Sequence, residues 1–113
     1  MLLYFCKKLN MDLDQKDWFK KQKNNLNSII LDVRTKDEYK EGHIPNAFLI
    51  DIRNPQEFMD NIYLLDNKKF YFIYCRSGAR SAQACQLMKQ VGIKNCFNLL
   101  GGILDWQGQI IKD

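Results

Sequence analysis

The sequence predicts an α/β fold with a parallel sheet covered by helices on both faces, and three observations carry that expectation. Two short apolar runs, SIILDV at Ser28 to Val33 and FYFIY at Phe70 to Tyr74, lack the polar alternation of a half-exposed strand, so they read as strands buried on both faces. Helical spacing follows them: after Ser81, the residues Ala84, Leu87, Met88 and Val91 form one apolar stripe. Capping and turn residues mark the joins, so strands alternate with helices along the chain.

In chain order, Asp12 or Asp14 caps a first helix that runs to about Lys23, with Leu13, Trp18 and Phe19 as its apolar contacts. Lys20, Lys21 and Lys23 read as a solvated helix end, where cations suit the dipole. After SIILDV, Thr35 with Glu38 three residues on forms a capping box for a short helix that ends at Gly42. Pro45 and Asn46 turn the chain into a second buried run, Ala47 to about Ile50. Asn54 opens the next helix with Pro55 at its first position, and this helix reaches about Asn61. FYFIY is the third strand. Ser81 to about Val91 is the longest helix, stopped by Gly92. Asn95 to Leu99 makes another strand, and Gly101 and Gly102 lead into a last helical turn containing Trp106.

The 113 residues fit one domain, 1–113, long enough to build a core without disulfides or a metal. At 46% hydrophobic and 12% aromatic the composition argues against disorder. Seventeen basic and thirteen acidic residues give a net charge of +4, spread without a basic block, so no nucleic-acid partner is expected. The same balance helps to attract a small anion wherever some of it borders a cleft. The run Leu2 to Cys6 is shorter than the roughly 7 to 15 apolar residues of a signal core or the roughly 20 of a membrane span. No membrane partner is expected, and the location is expected to be cytoplasmic. Cys6, Cys75, Cys85 and Cys96 show neither a CxxC pair nor Cys/His spacing of the kind zinc needs, so free thiols and no metal are expected.

One of these cysteines stands apart. Cys75 sits where FYFIY stops, beyond the carboxyl end of a strand, which is where open α/β sheets bind ligands. The following residues Arg76, Ser77, Gly78, Ala79 and Arg80 let the loop curl with its N–H groups inward, a nest for an anion. The helix beginning near Ser81 adds its free first-turn N–H groups and the positive end of its dipole. A thiol at that centre ionises more readily than free cysteine, whose pKa is about 8.5. A buried cysteine as plain packing is the commoner case. Two arginines around a glycine-bearing strand-to-helix loop have no packing rationale and favour chemistry.

At these residues the chain resembles the rhodanese-like domain family, specifically its single-domain thiosulfate sulfurtransferases. The matching stretches are LDVRTKDEYKEGHIPNA at Leu31 to Ala47, CRSGAR at Cys75 to Arg80 and NLLGGILDW at Asn98 to Trp106, covering with their connections roughly residues 9 to 110. The resemblance implies a mainly parallel five-stranded sheet flanked by helices and sulfur transfer through a cysteine persulfide, with no cofactor. It makes Cys75 the nucleophile and Arg76, Ser77, Gly78, Ala79, Arg80 and Ser81 the substrate cradle, with Arg80 closing it and Arg76 facing the anion. It gives Asp32, Arg34 and His43 structural roles. The implied partners are a small anionic sulfur donor such as thiosulfate and a thiol, cyanide or protein-cysteine acceptor.

Alternatives on the same fold are a persulfide carrier or partner-binding module, and a phosphatase or arsenate reductase. The six-residue loop is one residue shorter than in those last two enzymes and holds no acidic residue. Cys85 suits helix packing better than a resolving role, Cys96 reads as core, and Cys6 is too near the terminus to place. His43, beside a turn proline and far in sequence from the loop, reads as structural, and Trp18 and Trp106 as core or cleft wall.

Overall fold

A computed structural model describes residues 11–113, so Cys6 lies outside the described residues. Among the described residues five strands make one sheet: β1 Asp12–Leu13, β2 Ser28–Asp32, β3 Phe48–Leu49, β4 Phe70–Tyr74 and β5 Cys96–Leu99, in the order β1-β5-β4-β2-β3. All four pairings are parallel. The helices are α1 Gln15–Lys23, α2 Lys36–Glu41, α3 Pro55–Tyr63 and α4 Ala79–Gln90, and a 3-10 turn covers Ile103–Asp105.

Strand alternation divides the core into two layers. Ile30, Phe72 and Tyr74 point to the face that holds Trp18 of α1, while Leu31, Tyr71, Ile73 and then Cys75 point to the face packed by Phe58 and Ile62 of α3 and by Ala84, Cys85 and Met88 of α4. Both faces of β4 are thus buried, as its unbroken apolar run predicts. Trp18 is fully buried and meets Phe72, Tyr74 and Trp106 edge to face.

Caps place the helix starts. Asp14 accepts the Asp17 N–H at 2.8 Å to open α1, and Thr35 with Glu38 makes the reciprocal capping box of α2. Asn54 precedes α3 without a side-chain cap bond, and Pro55 holds its first turn.

Four expectations are corrected. Leu13 belongs to β1 and not to the first helix, because its carbonyl pairs with the N–H of Leu100 at the edge of β5, a partner invisible in a two-residue strand. The run Ala47 to Ile50 is not buried throughout: β3 is an edge strand and leaves Phe48 exposed. Helix α4 starts at Ala79, two residues before Ser81, so the second half of the Cys75 loop is already its first turn. The final turn is 3-10 and stops just before Trp106.

Strands β2 and β4 are neighbours with Asp32 opposite Tyr74, yet the chain leaves β2 toward β3 on one side and leaves β4 toward β5 on the other. Connections that diverge from adjacent carboxyl ends open a crevice there. Arg34 follows one strand and Cys75 the other.

Candidate active site

The sulfur of Cys75 lies at the floor of a curled loop, 1% exposed as a residue. Gly78, at φ 106° in the left-handed region that favours glycine, donates its N–H to Sγ at 3.0 Å. The Ser81 hydroxyl lies 3.3 Å from the same sulfur. Burial opposes ionisation of Cys75, but the Ser81 hydroxyl and the N–H groups of Ser81, Gly78 and Ser77 outweigh it and lower the thiol below its ordinary value.

The donors nearest the sulfur are therefore backbone N–H groups and a hydroxyl. The arginines stand farther out. Arg80 spans to α2 and clamps Glu38 with two hydrogen bonds of 2.9 and 3.0 Å, so its guanidinium is held by a carboxylate. Arg76 is exposed and lines a cleft of about 570 Å³ together with Arg34, Glu38, Glu41, Ile103, Leu104 and Ile110. Ser77 and Ala79 are exposed at the loop's tip.

The loop is fastened from below by the NLLGGILDW stretch. The N–H of Ile103 donates to the Cys75 carbonyl at 2.9 Å and that of Leu104 to the Arg76 carbonyl at 3.0 Å. With these carbonyls turned toward the 3-10 segment, the loop's N–H groups are free to aim at the sulfur. The approach is close enough that Gly102 must be glycine, since a Cβ there would overlap the Arg76 carbonyl.

Asp32 and Arg34 brace the neighbouring strand end. Asp32 is fully buried and accepts from the Arg34 N–H and guanidinium and from the Tyr74 hydroxyl, and Arg34 also donates to the Gly42 carbonyl at 2.7 Å. Burial works against the Arg34 charge, and the Asp32 carboxylate more than offsets it. His43 is buried and stacked on Tyr39 with ring centroids 3.7 Å apart, and its Nδ1 lies 2.8 Å from the Tyr39 carbonyl. These contacts hold the turn before β3, and none of them is to Cys75.

Cys85 and Cys96 are buried, and burial raises the thiol of Cys85 well above its ordinary value and pushes that of Cys96 up to about 12. They stay protonated and unreactive near neutral pH.

Sequence reasoning missed three participants: Glu38 as the partner of Arg80, Gly102 as the floor beneath the loop, and Asn98, whose side chain meets Ser81 and Gly78. The paired glycines after a strand end were the one available signal, and they mark a close backbone approach.

The Glu38–Arg80 pair has a pH signature. Arg80 first, then Thr35, hold the Glu38 carboxyl at about 2 against the raising effect of burial. A depressed carboxyl contributes stability above its ordinary value and loses it as pH falls through the folded value. The contribution is therefore complete above about pH 5 and gone below about pH 2. For this partly exposed pair it is worth about 1–2 kcal/mol. In acid titrations followed by circular dichroism, the stability gap between the wild type and Glu38→Gln is expected to close across that window. A gap independent of pH would contradict it.

Among known proteins, the "Rhodanese-like domain" family matches residues 15–109. The thiosulfate sulfurtransferase GlpE of Coxiella burnetii is 33% identical over 79 residues, 70% of this chain and 71% of its own. YrkF of Bacillus subtilis, named as a sulfur carrier protein, is 38% identical over 80 residues, and the match takes in only 42% of its length. A rhodanese-like domain protein from Staphylococcus aureus superposes with a TM-score of 0.76 at 27% identity, covering 90% of this chain and 97% of that one. With five parallel strands, the loop at the end of β4 and a family match over most of its length, the chain belongs to the rhodanese-like domain family.

Proposed function

We propose that this protein is a sulfurtransferase that moves sulfane sulfur from thiosulfate or a similar donor to a thiophilic acceptor through a persulfide on Cys75. The observation that supports it best is the convergence of the Gly78 N–H and the Ser81 hydroxyl on Cys75 Sγ, which favours a thiolate inside a loop of inward N–H groups.

The thiolate attacks the outer sulfur of thiosulfate; a bond forms to Cys75, the S–S bond of the donor breaks, and sulfite leaves with the bonding pair. Arg76 at the cleft and the loop's N–H groups meet the charge of the donor and of the departing sulfite. The persulfide's outer sulfur is anionic and stays in the same nest until cyanide, a thiol or a protein cysteine takes it and releases the thiolate. The unpaired thiols of Cys75, Cys85 and Cys96 suit a reducing compartment such as the cytoplasm.

The test is intact-protein mass spectrometry after incubating reduced protein with thiosulfate and removing the excess. A gain of one sulfur atom, discharged by cyanide and absent from Cys75→Ser, is expected. If reduced wild-type protein stays unloaded with thiosulfate but takes sulfur from a persulfidated protein, the carrier reading suggested by YrkF replaces it. Hydrolysis of an aryl phosphate would point instead to the phosphatase chemistry that the six-residue loop disfavours.

A further inference from the structure

The Ser81 hydroxyl has one proton and two buried acceptors within reach. It lies 3.3 Å from Cys75 Sγ and makes a short hydrogen bond to Asn98 Oδ1, and Ser81, Asn98 and Cys75 are each at most 2% exposed. The far side of the Asn98 amide fixes its orientation. Its Nδ2 donates to Asp12 Oδ1 at 3.0 Å and to the Gly78 carbonyl at 3.2 Å, so Oδ1 is the atom that faces the hydroxyl. Carboxylate, amide, hydroxyl and sulfur therefore form a single file drawn from β1, β5, α4 and the end of β4.

We propose that Asn98, polarised by Asp12, competes with the Cys75 sulfur for the Ser81 proton and thereby sets how readily that sulfur becomes an anion. While the thiol keeps its proton, it donates to Ser81 Oγ and Ser81 donates to Asn98. When the thiol proton leaves to solvent, Ser81 turns its hydroxyl onto the sulfur and Asn98 Oδ1 is left buried without a donor, which is costly. Asn98 thus opposes the free thiolate that Ser81 favours. The inference rests on Cys75 being the reacting sulfur. In a persulfide the charge sits on the outer sulfur, so the hydroxyl returns to Asn98 and the amide favours the loaded form over the free thiolate. Asp12 and Asn98 act as positioning residues, touching no substrate.

Other charged and titratable groups surround the sulfur without bonding the hydroxyl. They are Arg76 in the loop, Arg80 clamped to Glu38 of α2, the Asp32–Arg34 pair after β2, and the protonated Cys85 and Cys96 on the same sheet face. A double-mutant cycle separates the proton competition from their fields and from that of Asp12 itself.

The measurement is the pH midpoint of Cys75 alkylation by iodoacetamide, read peptide by peptide in the full chain. Ser81→Ala is expected to raise the midpoint by about one pH unit, since it removes a hydrogen bond to the thiolate. Asp12→Asn keeps a partner for Nδ2 but removes its charge, and is expected to lower the midpoint by roughly half a unit. In the Ser81→Ala background that second shift should shrink to less than half. Asn98→Ala also loosens Gly78, so Asp12→Asn carries the test. An unchanged or raised midpoint in Asp12→Asn, or an equal shift in both backgrounds, overturns the proposal, the latter showing simple through-space charge. Alkylation needs no sulfur donor, so these shifts stand or fall separately from whether the protein transfers sulfur.

Discussion

Gly102→Ala is expected to abolish sulfur loading of Cys75 and to lower Tm by about 10 °C. Gly102 is buried at φ 59° and ψ −163°, a region that is essentially glycine-only and costs other residues about 1–3 kcal/mol. Steric overlap adds to that strain, because a Cβ at this position would strike the Arg76 carbonyl and lie 2.7 Å from the carbonyl oxygen of Cys75. Those carbonyls are the ones that Ile103 and Leu104 hold. The loop must lift away, and the Ser77 and Gly78 N–H groups then lose their aim at the sulfur. Loading, alkylation midpoint and thermal melting should all change together. A variant that loads normally and melts within about 2 °C of wild type would show that the loop does not depend on this approach.

Asp32→Ala should cost about 3–5 kcal/mol, because it strands a buried guanidinium. The Asp32 carboxylate is fully buried and gathers Arg34 and the Tyr74 hydroxyl, which itself accepts the Ile44 N–H at 3.0 Å. One side chain therefore ties the ends of β2 and β4 to the turn that leads into β3. Arg34 also reaches the Gly42 carbonyl, so losing its anion loosens the cleft wall beside Arg76. Against a total stability of about 5–15 kcal/mol the loss is large. Urea unfolding gives the magnitude, and a double variant in which apolar residues replace both Asp32 and Arg34 should recover part of it. Full stability in Asp32→Ala would mean that water or another group meets Arg34 on removal of the carboxylate.

The elements most legible in sequence are those whose signal is local. Both faces of β4 are buried as FYFIY predicts, the Thr35–Glu38 capping box forms as its spacing requires, and the Cys75 loop is six consecutive residues at a strand end. Strand β1 escaped notice because two residues carry no period and its partner among the described residues, β5, lies more than eighty positions away. The positive charge around Cys75 was legible as well, although its use was not. Arg80 is claimed by Glu38, 42 residues earlier, and the sulfur's nearest donors are backbone N–H groups that any sequence possesses.

By itself the sequence determined the α/β class, the family and the cysteine on which the chemistry is proposed to turn, because apolar runs, caps and the CRSGAR loop are written in neighbouring residues. Only the tertiary structure decided which groups bear on that cysteine. The chain from Asp12 through Asn98 to Ser81, the glycine beneath the loop and the clamp on Arg80 join residues 17 to 86 positions apart. Distances between such residues are set by sheet order and helix packing, and no local periodicity encodes them.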